Sequence, residues 1–99
     1  MTITKKQTGS ELLIELSGNL DTTTAPELGK VIDESLYGIT SLILDLKKVD
    51  YVSSAGLRVI LVAFKIMSKQ GTMVVRNVNQ SVMDVFTMTG CIDILTIEN

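Results

Sequence analysis

The sequence predicts an α/β fold in which about three helices pack on a mostly parallel central sheet of roughly four or five strands. Apolar segments of strand length and of helix length alternate along the chain, which is typical of parallel strands joined by helical crossovers. Hydrophobic residues make up 45% of the 99 residues and aromatic residues only 4%, which indicates a packed aliphatic core. A chain of this length is within the usual range for one such core.

Two strands are predicted before the first helix. Ile3 lies on a short first strand. Residues 11–17 have apolar side chains at alternate positions, which is typical of a strand with one buried face. Gly18 and Asn19 are predicted to end this second strand.

The first helix is predicted to begin at a capping box. Thr24 and Glu27 are three residues apart, so each side chain can bond to the other's backbone N–H. Gly38 is a plausible end of the helix. The apolar residues at helical spacing are Leu28, Val31, Ile32 and Leu36.

The middle of the chain holds the most apolar strand and the most apolar helix. Residues 41–46 lack clean alternation, which favours a central strand that is covered on both faces. The second helix is predicted over residues 55–69, with Gly71 as the left-handed residue that follows its end.

The last third repeats the strand and helix pattern. A strand is predicted over residues 72–76, a helix over residues 80–89 that ends at Gly90, and a closing strand over residues 92–97. The predicted order is therefore β-β-α-β-α-β-α-β, which favours a mostly parallel sheet.

The charge and composition exclude several classes of function. The formal net charge is -2 and the sequence contains no histidine. Nucleic-acid-binding domains normally carry a basic face, which this chain lacks, so no direct contact with nucleic acid is expected. Without histidine there is no Ser-His-Asp or Cys-His catalysis and no imidazole ligand for a metal. We expect no catalytic residue, no metal and no cofactor.

The sequence is typical of a cytoplasmic protein. Cys91 is the only cysteine, so it forms no internal disulfide and fits a reducing compartment. No apolar run follows the first lysines, so no signal peptide is expected. The longest apolar run is residues 59–64, well below the roughly 20 residues of a membrane span.

Ser53 and Ser54 lie where the chain passes from the third strand into the second helix. A serine hydroxyl at such a point can accept a hydrogen bond from the first helical turn. A phosphate there would lie at the positive end of the helix dipole. One interpretation is that Ser54 is a regulatory phosphorylation site on a small binding protein. The other is that Ser54 is only an N-cap, and that Gly56 is only a small residue where strand and helix pass closely.

Two features favour the regulatory interpretation. Gly56 in the first turn leaves the helix start open to a partner's backbone or to a phosphate. The helix also has one polar stripe with three cations and no acid, which would face solvent. A phosphate on Ser54 would be held by the dipole and Arg58, so it would switch binding and not folding. The stripe consists of Ser54, Arg58, Val62, Lys65 and Lys69.

Three motifs together identify a family resemblance. The pattern Val52-Ser53-Ser54-Ala55-Gly56-Leu57-Arg58, with Gly18-Asn19-Leu20-Asp21 before it and Gly71-Thr72-Met73-Val74-Val75 after it, resembles the STAS-domain family of anti-sigma factor antagonists. The resemblance implies a single STAS domain over residues 1–99. It also implies that the unphosphorylated protein, a monomer when free, binds an anti-sigma factor that is also an ATP-dependent serine kinase, and so releases the sigma factor. The kinase then phosphorylates the serine and breaks the complex, a serine phosphatase restores it, and the antagonist itself catalyses nothing.

The resemblance assigns the site residues by position. Ser54 matches the phosphoacceptor and Ser53 is the alternative acceptor, at a position where family members often carry aspartate. Asp21 matches an acidic residue near that serine, or it is simply a loop or helix-start acid. Tyr51 and Val52 either form an apolar docking rim or simply end the strand. The residues expected at the partner interface are Asp21, Tyr51, Val52, Ser53, Ala55, Gly56, Arg58, Val62 and Lys65.

Two other functions are compatible with the sequence. The chain could be a non-catalytic STAS scaffold subunit of a lipid-transport or stress-signalling complex, in which the serine need not be phosphorylated. It could also be a small enzyme or nucleotide-binding domain that uses the helix start as a phosphate cradle. The second has little support, because the chain has no glycine-rich phosphate loop and no cluster of acids for metal catalysis.

Overall fold

The computed structural model describes residues 1–98 and contains five strands and three α-helices in that range. A short 3-10 turn, Cys91–Asp93, precedes the last strand. The elements are β1 (Thr2–Thr8), β2 (Glu11–Leu20), α1 (Ala25–Ser35), β3 (Ser41–Val52), α2 (Ser54–Met67), β4 (Thr72–Arg76), α3 (Gln80–Thr89) and β5 (Ile97–Glu98).

The strands form one mostly parallel sheet in sequence order, from β1 at one edge to β5 at the other. β1 pairs with β2 in the antiparallel direction, and the other three pairs are parallel. Parallel crossovers are right-handed, so strands in sequential order receive all three connecting helices on the same face. The predicted fold class is confirmed, with three helices and five strands.

The core lies between this sheet and the helix layer. Its buried members are aliphatic or sulfur-containing, with one aromatic side chain, Phe86 of α3. The alternate residues of the central strands point to the other side, where Leu13, Ile43 and Val74 are paired in register across β2, β3 and β4 and remain half-buried. The prediction that β3 is covered on both faces is therefore wrong. The sheet residues of the core include Leu12, Ile14, Leu16, Leu42, Leu44, Leu46, Met73 and Val75.

β3 has twice the six residues predicted for it, and its pairing with β2 contains two register shifts. Glu15 pairs with Asp45 but Ser17 pairs with Lys48, and a second shift follows between Gly18 and Leu20. Each shift adds one residue to β3, as a β-bulge does. The buried side chains of the second half are therefore spaced by three residues and not by two. They are Leu46, Val49 and Val52.

Several predicted boundaries differ from the structure. β2 continues through Gly18, which has φ +110°, and ends at Leu20. The predicted closing strand shrinks to Ile97–Glu98, because Cys91–Asp93 form the 3-10 turn. Helix α1 ends at Ser35, before Gly38. Within residues 1–98, no helix has both the length and the apolarity needed to cross a membrane.

The end of α2 also differs from its prediction. The helix ends at Met67, its C-cap Ser68 has right-handed backbone angles, and Gly71 has no positive φ. Gly71 is instead pressed against the chain before β3. An ideal Cβ at this position would lie 1.9 Å from the carbonyl oxygen of Thr40, and the Thr72 N–H donates to that same oxygen at 2.9 Å. Glycine is thus required by a backbone approach and not by a left-handed turn.

Asp45 is the one buried charged residue among residues 1–98. Its Oδ1 accepts from the Lys47 N–H at 2.9 Å, and both carboxylate oxygens accept from the Asn77 amide at 3.2 Å. The Nε of Arg76 lies 3.6 Å from Oδ2. Burial raises the pKa of Asp45, but these donors outweigh it, so that the pKa lies below its ordinary value.

Removing this carboxylate should change the acid response of stability. A lowered native pKa means that Asp45 stabilises the fold above its unfolded pKa of about 4 and that this contribution is lost as the pH falls through the native pKa. We expect Asp45→Asn to be less stable than wild type at pH 7, with the gap closing below about pH 4. Urea unfolding across this pH range measures the gap. Asp33→Asn, an exposed acid on α1, controls for the loss of one charge, and a gap that stays constant with pH would contradict the assignment.

Candidate functional site

Ser53 caps helix α2. Its backbone is extended, and its Oγ accepts from the Gly56 N–H at 3.2 Å. Its own N–H donates to the carbonyl oxygen of Leu20 at 2.8 Å, which ties the helix start to the end of β2. The interpretation of Ser54 as the N-cap is therefore wrong, since Ser53 occupies that position.

Ser54 is the first residue of α2 and is exposed. Its hydroxyl makes no hydrogen bond to any residue in the range 1–98, whereas the neighbouring hydroxyl of Ser53 is occupied by the cap. The Ser53 hydroxyl is thus used by the fold, whereas the Ser54 hydroxyl is available to another molecule. Of the two, Ser54 is the one whose oxygen can react without undoing a contact of the fold.

Gly56 is buried where β2 and α2 meet. An ideal Cβ on it would lie 2.6 Å from Leu20 Cγ and 2.7 Å from the Leu20 carbonyl oxygen. Such distances are not seen for real Cβ atoms, so the close approach itself requires glycine. This geometry supports the interpretation of Gly56 as a packing residue. The contact of Gly56 with Leu20 is a second attachment of the helix start to β2, beside the hydrogen bond from Ser53.

Asp21 organises the loop between β2 and α1. Its Oδ1 accepts from the N–H groups of Thr23 at 3.0 Å and Thr24 at 3.1 Å, while the Thr24 hydroxyl accepts from the Asp21 N–H at 2.9 Å. The backbone bond from Thr24, followed by that from Thr23, holds the pKa of Asp21 below its ordinary value. The predicted capping box is wrong, because the Thr24 hydroxyl makes no cap bond within α1.

The exposed residues beside Ser54 form one surface. Tyr51 is 48% exposed and Val62 is 45% exposed. Arg58 and Lys65 are exposed, and neither forms an ion pair within residues 1–98. We call the surface formed by Ser54, Arg58, Val62 and Lys65 the α2 face.

The other predicted interface residues lie around this surface or beneath it. Ser53 and Ala55 are half-buried, and so is Asp21 in the adjoining loop. Val52 is 1% exposed and belongs to the core, so it ends the strand and presents no side chain to a partner. Leu20 was named only as part of the motif Gly18-Asn19-Leu20-Asp21 and was given no role, although its carbonyl oxygen and side chain hold the helix start. A contact between two distant elements leaves no local pattern from which it could be found.

The chemistry of the site is that of a binding surface. Within residues 1–98, no three Asp, Glu or Cys side chains lie close enough together to share a metal ion. What the site offers is a free hydroxyl on a fixed helix start, with a guanidinium one helical turn further along.

Substitution of each serine in turn should separate their two roles. Ser53→Ala removes the N-cap acceptor and should lower the free energy of unfolding by about 1 kcal/mol. Ser54→Ala removes no contact and should change it by less than about 0.5 kcal/mol. Urea unfolding of both variants at pH 7 tests the difference. Equal losses, or a larger loss for Ser54→Ala, would contradict the division between the two hydroxyls.

Comparison with known proteins matches the chain as a whole to a family. The STAS domain family model matches residues 2–99. The anti-sigma-B factor antagonist of Bacillus subtilis (strain 168) is 30% identical over 93 residues, which cover 93% of this chain and 85% of that protein. The chain thus spans most of the length of this relative.

Solved structures share the fold. The crystal structure of an anti-sigma factor antagonist from Mycobacterium paratuberculosis matches with a TM-score of 0.88 at 21% identity, over 97% of this chain and 83% of that chain. The Bacillus cell fate determinant SpoIIAA, in its phosphorylated form, matches with a TM-score of 0.76 at 17% identity, over 99% of this chain and 92% of that chain. At these identities the likeness establishes the architecture alone.

Proposed function

The chain belongs to the STAS domain family, and on that premise we propose that it is an anti-sigma factor antagonist switched by phosphorylation of Ser54. In this proposal the unphosphorylated chain binds an anti-sigma factor that is also an ATP-binding serine kinase, which releases the sigma factor. The kinase then modifies Ser54 and ends the complex, and a serine phosphatase reverses the modification. The chain itself is no enzyme, acts as a cytoplasmic monomer when free, and contacts neither nucleic acid nor membrane.

The observation that carries the proposal is the free Ser54 hydroxyl beside the occupied Ser53 hydroxyl. A kinase needs an acceptor oxygen that it can reach while the substrate stays folded. The exposed first position of α2 meets that need, and the half-buried cap residue does not. A protein of the same fold, SpoIIAA, has a solved structure in its phosphorylated form, which supports phosphorylation as the kind of switch.

Phosphoryl transfer would add charge without breaking a contact. The Ser54 oxygen would bond to the γ-phosphorus of ATP held by the kinase, ADP would leave, and the hydroxyl proton would pass to a base on the kinase. The product adds a charge of about -1.5 to -2 at the helix start. The dipole of α2 and Arg58 would stabilise that charge, so the fold would persist.

The same charge would act on the complex from outside the fold. The α2 face carries Arg58 and Lys65 with no acid of its own, so a partner that fits it would present acidic groups. A dianion in the middle of that contact would repel those groups and would lose its hydration on binding. Phosphorylation would therefore weaken binding.

The decisive experiment locates the phosphate. The chain is purified from its native cells and studied by intact-mass and fragment mass spectrometry, with phosphatase-treated material as the control. A phosphoryl group on Ser54 is the expected result. Phosphate on Ser53 would keep the mechanism and move the acceptor by one residue. If no phosphate is found under any growth condition, the scaffold function is favoured, in which the unmodified domain holds a complex together.

A further inference from the structure

A pocket of about 260 Å³ opens on the face of the sheet that is turned away from the helices. Thr4 of β1, Glu15 of β2 and Asp45 of β3 all line it and are in register with one another. Side chains in register lie on the same side of a sheet, and the neighbours of Glu15, Ile14 and Leu16, belong to the core on the other side. The pocket is therefore separate from the α2 face, which belongs to the helix layer.

The first register shift between β2 and β3 gives this pocket two lysines. Glu15 pairs with Asp45 and Ser17 pairs with Lys48, so β3 has one residue more than β2 over this interval. Because of the extra residue, Lys47 and Lys48 are both exposed, although regular alternation would turn one of two successive side chains toward the core. Both lysines line the pocket, and so does Ser17.

Asp45 fixes the backbone of the strand at these lysines. It is only 8% exposed, and its Oδ1 accepts from the Lys47 N–H at 2.9 Å. The Asn77 amide and the Arg76 guanidinium hold the same carboxylate from the end of β4. The bulge is thus ordered before a ligand arrives, which reduces the conformational entropy that binding would cost.

The lining groups that lack a partner can all donate a hydrogen bond. Lys47 and Lys48 form no ion pair within residues 1–98. The side-chain hydroxyls of Thr2, Thr4 and Ser17 make no hydrogen bond to any residue in that range. The groups of the pocket that are free to bind are therefore two ammonium groups and three hydroxyl groups.

The two acids that line the pocket are each already paired with a cation. Glu15 Oε1 lies 3.1 Å from Lys6 Nζ, and Asp45 Oδ2 lies 3.6 Å from Arg76 Nε. When these partners are counted with the two lysines of the bulge, four cations stand against two carboxylates, and the net charge is about +2. The pocket therefore attracts an anion and repels a cation.

We propose that this pocket binds the phosphate monoester of a small hydroxylated molecule. The phosphate dianion matches the charges of Lys47 and Lys48, and its three terminal oxygens match the three free hydroxyls. The Glu15 side chain is 41% exposed, so it can accept a hydrogen bond from a hydroxyl group of the ligand.

The size and surroundings of the pocket limit the ligand further. Its volume of about 260 Å³ is below the roughly 300–1,000 Å³ of sites for drug-sized ligands, so the organic part is smaller than a nucleoside. None of the large apolar side chains that are exposed within residues 1–98 lines the pocket. Nothing beside it would enter a membrane, so the ligand is a soluble molecule and not a lipid headgroup.

The test uses glycerol 3-phosphate as the probe, with nuclear magnetic resonance of the intact chain at low salt. Saturable amide shifts are expected in β1, in β2 and in β3 around Lys47, with a Kd in the millimolar range or below. Glycerol should give no shifts at the same concentration. Inorganic phosphate should bind about threefold or more weakly, because it lacks the hydroxylated part that reaches Glu15.

Substitutions with matched controls locate the site. Lys47→Gln and Lys48→Gln should each weaken binding about threefold or more at low salt, whereas Lys30→Gln on the exposed side of α1 should not. Thr4→Val removes a lining hydroxyl and should weaken binding about fivefold. Thr8→Val makes the same change on the same face of β1, outside the pocket, and should have no effect.

Four outcomes would overturn the proposal. They are an absence of saturable shifts at millimolar glycerol 3-phosphate, equal binding of inorganic phosphate, equal losses from Lys30→Gln and Lys47→Gln, or shifts that map to the start of α2. Vesicles that contain phosphatidic acid present the same phosphate at a membrane. If the chain binds them and glycerol 3-phosphate does not compete, the ligand is a lipid and the soluble molecule is the wrong one.

Discussion

Ser54→Asp is expected to weaken binding to the anti-sigma factor by about 30-fold or more, which corresponds to roughly 2 kcal/mol. The new carboxylate lies at the first position of α2, on the face whose cations Arg58 and Lys65 would meet an acidic partner. It neutralises part of that attraction and is itself desolvated in the complex. Isothermal calorimetry against the cognate anti-sigma factor measures the loss.

The fold itself should tolerate this substitution. An acid in the first turn of a helix is favoured by the dipole, so the melting temperature should stay the same or rise slightly. Ser10→Asp makes the same change of charge in the turn between β1 and β2 and should leave binding unaltered. The electrostatic switch would have to be abandoned if Ser54→Asp bound as tightly as wild type, or if Ser10→Asp weakened binding equally.

The largest loss of stability is expected from Gly71→Ala. The added methyl group would lie 1.9 Å from the Thr40 oxygen and 2.6 Å from the Thr40 carbonyl carbon, which are backbone atoms that cannot rotate away. The chain before β3 would have to move, and with it the Thr72 to Thr40 hydrogen bond. We expect a loss of about 3 kcal/mol or more, and a fall in melting temperature of roughly 15 °C.

Gly29→Ala is the matched control for Gly71→Ala. Gly29 lies inside α1 with no positive φ, and a Cβ there would meet only Val59 Cγ2 at 4.0 Å. The same methyl group should therefore stabilise the helix by about 0.5–1 kcal/mol. Thermal unfolding of the two variants should give shifts of opposite sign, and a small loss for Gly71→Ala would show that the chain before β3 is more yielding than the structure indicates.

Local patterns were sufficient for much of the architecture. The alternation in residues 11–17 and the helical spacing of Leu28, Val31, Ile32 and Leu36 both reflect burial on one side, and both elements are present. The limits of the fourth strand and of the third helix, Thr72–Arg76 and Gln80–Thr89, agree with the predictions. In these segments the secondary structure that each residue prefers is also the one that places it correctly relative to the core.

The failures have a common physical cause, which is contact between distant parts of the chain. The second half of β3 repeats its buried residues every third position because of pairing with β2, and no strand period predicts that. Gly71 was interpreted as a helix end, yet it is required by the backbone of Thr40, far away in sequence. For Gly56 the sequence left two interpretations open, and the contact with Leu20 favours the one in which strand and helix pass closely. Asp45 lies in the strand that was predicted from its apolar residues, and two of its polar partners, Arg76 and Asn77, reach it only in the folded sheet.

For the candidate site too, the local sequence was sufficient for one part, and the folded structure was needed for the other. Placing a serine at the start of a helix needed only the sequence around Ser53 and Ser54. Deciding which hydroxyl is free required the hydrogen bonds of Ser53 to Gly56 and Leu20. The position of Arg58 one turn from Ser54 follows from helical geometry, and the exposure of that face agrees with the predicted polar stripe.

The double attachment of the α2 start to β2 also has a kinetic meaning. The Ser53 N–H is hydrogen-bonded to the Leu20 carbonyl oxygen, and Gly56 packs against the same residue. The backbone of the helix start is therefore already ordered, and little conformational entropy remains to be lost when a partner binds there. A surface already held in its bound shape associates at a rate set mainly by encounter and long-range charge. Differences among partners, or between phosphorylated and unmodified chains, should then reside mostly in how long the complex lasts.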